Sequence, residues 1–223
     1  MVILITSTLI RKHVCKKIGV KNFVYDYIKS CGYQKNRLLN TIGDKQLYKK
    51  CIDNGIFDNI ELARTLIDYD DKELMKKNIR NVSMPGVKEV LNAIDDKNFA
   101  LDCMGDPNRL CHRNTTLLHE YEEEDVYNKD NRSIEDYEKR KNDFEKDLEF
   151  SLESARYVLE KYDDVNTKEY VKSYAKLLQP KGARRFVKHD AEMDFKNLVV
   201  DIGDEKLLKS LNFQNVDSKY IKA

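Results

Sequence analysis

Two thiols, an imidazole and two guanidiniums fall within eleven residues of this chain: Cys103, Arg109, Cys111, His112 and Arg113, inside FALDCMGDPNRLCHRNTTLLHE from Phe99 to Glu120. A helix starting near Asn108 or Arg109 places Cys111 in its first turn, where unpaired amides and the helix dipole favour an anion. Arg109 and Arg113 add positive charge, a setting that turns a cysteine into a thiolate nucleophile. In that chemistry Cys111 attacks, His112 carries the proton, Arg109 and Arg113 clamp an anionic substrate, and Cys103 and Asp106 shape the turn or share the reaction. The same groups would equally line a pocket for an external phosphate or carboxylate. The plain structural alternative makes Cys111 a small core residue and His112-Arg113 a surface pair.

A second chemistry uses the same residues. Cys103 and Arg109 have the Cys-x5-Arg spacing of a phosphate-cradling loop, with Cys103 attacking phosphorus and Asp106 protonating the leaving group. Leu110 stands where a hydroxyl would assist the thiolate, and Pro107 removes an amide from the cradle. Cys103, Cys111, His112 and His119 lack the close ligand pairs of a structural zinc site, so no metal or cofactor is expected.

The run ALDC…DP…CHR resembles domain-of-unknown-function family 488, over about Gly86 to Glu120. Cys103, Pro107 and Cys111-His112-Arg113 carry the likeness, with Asp106 as the nearest acidic residue. The resemblance implies a compact α/β fold with the motif at the carboxyl edge of a sheet, and implies no particular reaction.

The elements expected to hold this segment are of both kinds. Val2 to Leu9 (VILITSTL) reads as a buried strand, Asn22 to Ile28 leans towards a strand, and Asn98 to Cys103 reads as a strand ahead of a helix from Arg109 to Glu124. Between Lys45 and Asp96 the pattern is helical, with stripes at Leu47, Cys51 and Ile52, at Ile60, Ala63, Leu66 and Ile67, and a weaker one at Leu74, Met75 and Asn78. Ser133 is expected to cap a long helix whose apolar face runs from Ile134 to Tyr162, and Asn166 a following one to Leu178. Shorter helical stretches cover 191–200 and 204–211. No internal repeat is apparent. The fold class expected is therefore α/β and helix-rich: a small, mainly parallel sheet with flanking helices in residues 1–125, and a helical extension from 133 to 223 packed on or beside it.

Composition narrows the partners. The chain has 223 residues, 40 Lys plus Arg against 39 Asp plus Glu, so overall charge points to no polyanion and any nucleic-acid site must come from local segregation. Pro180 to His189 supplies one such cluster, with Lys181, Arg184 and Arg185 around Phe186; Arg11, Lys12, His13, Lys16 and Lys17 supply another. No apolar run approaches the length of a membrane span, and five scattered cysteines suit a reducing, cytoplasmic setting. The leading expectation is a small intracellular enzyme acting on a phosphate-bearing substrate, nucleotide or nucleic acid, through the Cys-His-Arg site. The competing one is a non-catalytic nucleic-acid or protein binding module, with the 134–162 helix available for self-association.

Overall fold

The computed structural model describes residues 20–30, 35–122, 134–178 and 189–210, and these are helical with no strand among them. The expected α/β fold with a parallel sheet is thus corrected to an all-helical one. Asn22–Ile28 lies within helix α1 (Val20–Ser30), and Asn98–Cys103 lies within α7 (Lys97–Cys103). The proposed first strand, 2–9, lies outside the described residues.

The reasons for both corrections are local. In α1 the buried positions are Val24 and Ile28, four apart, while Tyr27 is 54% exposed; that is a helical stripe despite the aromatic and β-branched content. In α7, Ala100 and Cys103 are buried three apart. Asp96 accepts the Phe99 amide at 3.1 Å, which caps a helix where a strand was expected. A three-residue apolar run such as Phe99-Ala100-Leu101 cannot be assigned by period alone, and the cap decides it.

The chain divides into two compact units, one up to Asp95 and one from Asp96. In the first, α1 is followed by α2 (Lys35–Ile42), α3 (Lys45–Asp53), α4 (Asn59–Tyr69), α5 (Lys72–Asn78), a 3-10 turn at Ile79–Asn81 and α6 (Met84–Ile94). α4 packs against α2, α3, α5 and α6. Ile28, Leu39, Leu66, Met75, Ile79, Leu91 and Ile94 are among the unit's most fully enclosed side chains. A polar clamp joins three of these helices: Asn36 and Asn40 of α2 both donate to Asp68 Oδ2 of α4, at 2.9 and 2.8 Å, and the Tyr48 hydroxyl of α3 bonds to the Asn36 and Asn40 carbonyl oxygens. Burial, with Asp68 nearby, pushes the Tyr48 phenol well above its ordinary value, so it stays a donor.

An internal repeat emerges that the sequence alone did not reveal. α4 and α6 are each 11 residues, α5 and α7 each 7. Asp70 and Asp95, 25 positions apart by number, both end the longer helix in the left-handed conformation, at φ 56° and 51°. Each is followed by an aspartate, Asp71 or Asp96, whose side chain caps the shorter helix. Leu62 and Val87, Leu66 and Leu91, Met75 and Ala100, and Ile79 and Met104 are buried pairs at the same spacing. Gly43-Asp44, between α2 and α3, is an earlier example of the same junction.

The second unit comprises α7, α8 (Pro107–Glu122), α9 (Ile134–Lys161), α10 (Val165–Leu178), α11 (His189–Ile202) and α12 (Glu205–Ser210). α9 is its axis, packed by α7, α8, α10 and α11. Most of its second half is buried, including Leu148, Leu152, Ala155, Val158, Ser151 and Ser154, while Glu149, Glu153, Arg156 and Glu160 form the stripe that reaches solvent. The apolar face expected for self-association is therefore used inside the unit. Met104, at the end of α7, offers its carbonyl to Ser151 Oγ of α9 and, at 2.9 Å, to the Tyr174 hydroxyl of α10.

Two helix caps also carry ion pairs. Asp164 (two residues before the expected cap, Asn166) accepts Lys97 Nζ at 2.7 Å and the Thr167 hydroxyl and amide. Asp204 pairs with Lys172 and accepts the Leu207 amide at 2.8 Å. The Lys97 hydrogen bond, then Thr167, holds the Asp164 carboxyl well below the usual range; Lys172 and the Leu207 amide lower Asp204 to about 2. A depressed folded-state pKa gives stability that is present above the unfolded value near 3.9 and lost as pH falls through the folded one. Asp164→Asn is therefore expected to lower the melting temperature at pH 6, with its difference from the parent shrinking steadily below pH 4; thermal melts followed by circular dichroism at pH 6, 4, 3 and 2 check this.

Candidate functional site

The segment that concentrates reactive groups is built from the end of α7, the turn at Gly105-Asp106 and the first turns of α8. Cys103 is the last residue of α7 and is 6% exposed, its sulfur in the core of the second unit. Gly105 turns the chain at φ 70°. Asp106 is exposed and accepts the Asn108 amide at 2.9 Å, so one amide that a phosphate cradle would need is already bonded. Arg109 is exposed. With a helix rather than a strand before the turn, the Cys-x5-Arg segment departs from the strand–loop–helix arrangement that such a cradle uses.

Cys111 is the fifth residue of α8, past the first turn, because the helix starts at Pro107 rather than at Asn108 or Arg109. Its sulfur lies 3.0 Å from the Leu177 carbonyl oxygen and 3.1 Å from that of Leu178, at the C-terminus of α10. The thiol there is a donor facing partial negative charge, the reverse of an amide-lined anion site. Arg113 turns another way: its Nη1 is 2.5 Å from Asp147 Oδ2 of α9, and its guanidinium lies 5.6 Å from the centroid of the Phe144 ring. His112 is exposed. Consecutive helical residues are rotated by about 100° from each other. The three motif side chains thus go to α10, to solvent and to α9, and converge on no common point.

The chain matches no protein-family model, no curated protein and no solved structure. The α/β fold implied by the resemblance to domain-of-unknown-function family 488 is absent from the described residues, where the motif joins two helices.

Lys181, Arg184, Arg185 and Phe186 lie outside the described residues, as do Arg11, Lys12, His13, Lys16 and Lys17. Two features of this site escaped sequence reasoning. Asp147 is one acid among many on a densely charged helix, and only its position three residues after Phe144 marks it as Arg113's counterpart. Leu177 and Leu178 contribute through backbone carbonyls, which leave no signature in residue type. No helix among the described residues is long and apolar enough to cross a membrane.

Proposed function

We propose that this chain is an intracellular, non-catalytic binding protein built of short packed helices, with the Cys-His-Arg segment part of its framework. The observation that supports this reading is the divergence of Cys111, His112 and Arg113 onto different surroundings, with the thiol against backbone carbonyls and the guanidinium held by Asp147. The recurring helix, left-handed aspartate, capped helix pattern supports it further, since an array of short helices presents solvent-facing helix surfaces without requiring an active-site cleft.

Alkylation separates this from the enzyme reading. Native protein would be treated with iodoacetamide at pH 6 and at pH 8, and each cysteine followed by peptide mass spectrometry. Cys111 is expected to react at pH 6 no faster than a cysteine-containing tripeptide, and the buried Cys51 and Cys103 more slowly still. Burial raises the Cys51 thiol to about 11, which acts in the same direction. Reaction of Cys111 or Cys103 tenfold faster than the tripeptide at pH 6 would identify an activated thiolate and restore the catalytic reading.

A further inference from the structure

The apolar face of α9 is used inside the second unit, but α10 keeps one in solvent. Of the six large hydrophobic side chains exposed among the described residues, three are on this 14-residue helix: Val165, Tyr170 and Leu177. Tyr170 and Leu177 stand two helical turns apart on one face, 49% and 53% exposed. Asn166 and Ser173, both exposed, fall on the same stripe at helical spacing. The rest of the helix's apolar content is already engaged: Val171, Tyr174, Ala175 and Leu178 are buried, and α8, α9 and α11 pack on α10.

Charge flanks this stripe in a pattern complementary to itself. Glu169 and Lys176, again two turns apart, lie along one edge, and both are exposed. Glu169 is 3.5 Å from Lys172, whose closer partner is Asp204, and its side chain stays 64% exposed. Among the described residues no acid is within ion-pair distance of Lys176. The other edge carries Thr167 and Tyr174, both buried and uncharged. When two copies of such a stripe meet antiparallel, like edges face each other, so Glu169 of each copy faces Lys176 of the other. A parallel pair sets the charged edge against the uncharged one and makes neither contact.

From this we propose that α10 joins two copies of this chain as an antiparallel helix pair. The side chains fit by size in that register. With Glu169 opposite Lys176, the Tyr170 ring comes against the small Ser173 of the other copy, twice about the two-fold axis, and Leu177 comes against Asn166. The stripe is thus self-complementary in both size and charge, as an isologous contact requires. A partner of a single charge sign fits less well, since it meets one like charge for each opposite one. One short helix on another covers less than the roughly 1,200–2,000 Å² of a stable complex, so the dimer is weak, with Kd on the order of 10–100 μM. The contact goes beyond the binding-protein reading and holds whatever the Cys-His-Arg segment does.

The test is sedimentation equilibrium of the full chain from 2 to 200 μM in 50 mM NaCl, where the apparent mass should rise from monomer towards dimer. Tyr170→Ala/Leu177→Ala should weaken the dimer at least tenfold, because each change counts in both copies. Ile60→Ser, which removes a more exposed apolar side chain from the first unit, should stay within twofold of the parent. Glu169→Lys and Lys176→Glu each set like charges together at both ends of the contact, and each alone should weaken it about tenfold. Mixed in equal amounts, these two variants should pair with each other at close to parental strength, since the lysines of one then face the glutamates of the other. Should the double alanine variant lose helicity by circular dichroism, the mixing experiment decides alone. A chain that is monomeric at 200 μM overturns the proposal and leaves the stripe to a different protein. A dimer that the double alanine variant does not weaken, or that Ile60→Ser weakens equally, overturns it too, by placing the contact elsewhere or making it unspecific. So does a loss in both charge variants without recovery on mixing, which excludes the antiparallel pair. None of these outcomes alters the cysteine reactivities that test the binding-protein reading.

Discussion

Phe144→Ala is expected to destabilise the second unit by about 3–5 kcal/mol, the usual range for emptying a buried aromatic site. Phe144 is 1% exposed on the central helix, and the Arg113 guanidinium lies over its ring while pairing with Asp147 one turn further along α9. Removing the ring therefore opens a cavity and takes away the surface that orients the arginine. Arg113→Ala should be far milder, about 1 kcal/mol, because the ion pair is partly solvated and its stacking contribution is of similar size. Hydrogen exchange read by mass spectrometry on α8 and α9 peptides measures both, and reports on this unit without interference from the other. The ordering carries the argument about function. A guanidinium reserved for a substrate anion leaves the folded protein unchanged or more stable when it is removed. One used in packing leaves it less stable. Arg113→Ala raising protection in α8 and α9 would reverse the structural role assigned to this arginine.

The same arginine shows how far sequence reasoning reaches. Residue types and a helix over Cys111–Arg113 are legible in the sequence, but the direction each side chain takes depends on which helix packs on which face. Helices α9 and α10 follow at a distance of dozens of residues, so Asp147 and the Leu177 and Leu178 carbonyls cannot be assigned to this segment in advance. The helical stripes between Lys45 and Asp96 are legible where apolar residues recur at helical spacing: Leu47, Cys51 and Ile52 are all buried, as are Ala63 and Leu66, whereas Ile60, counted in the same stripe, is 77% exposed. Short apolar runs are not legible. Phe99, Ala100 and Leu101 fit a strand as well as they fit a helix. What settles the matter is Asp96 bonding forward to the Phe99 amide, a feature available in the letters as Asp-Asp-Lys at both 70–72 and 95–97.

That repeated tripeptide was the available signal for the internal repeat as well. It was obscured because equivalent positions conserve burial rather than identity: Met75 is matched by Ala100, Leu62 by Val87. Hydrophobic volume can be exchanged between such positions when neighbours compensate. The αL–aspartate junction cannot be exchanged so freely, since few residues tolerate φ near 50° and few side chains cap the following amides. Local backbone chemistry thus preserves the period where side-chain similarity has faded.

The close approach of α4 and α6 leads to the other large effect. Gly86 is buried in α6, and a Cβ added there would sit 2.6 Å from Ala63 Cβ and 2.7 Å from Val82 Cγ1. Val82 is buried and has only its χ1 rotation to give. Ala63 has none, because its methyl is fixed to the backbone of α4, so the two helices must separate. Alanine gains roughly 0.5–1 kcal/mol over glycine inside a helix, whereas overpacking of a filled core costs about 1–3 kcal/mol. Gly86→Ala is accordingly expected to be net destabilising, by about 1–2 kcal/mol, and Gly86→Leu by more. Adding Ala63→Gly removes the closer of the two contacts and should recover part of the loss, giving a favourable coupling between the two sites. Urea unfolding with hydrogen exchange of α4 and α6 peptides measures all three variants. A Gly86→Ala protein more protected than its parent would mean that the helix interface has slack and that the glycine is there for another reason.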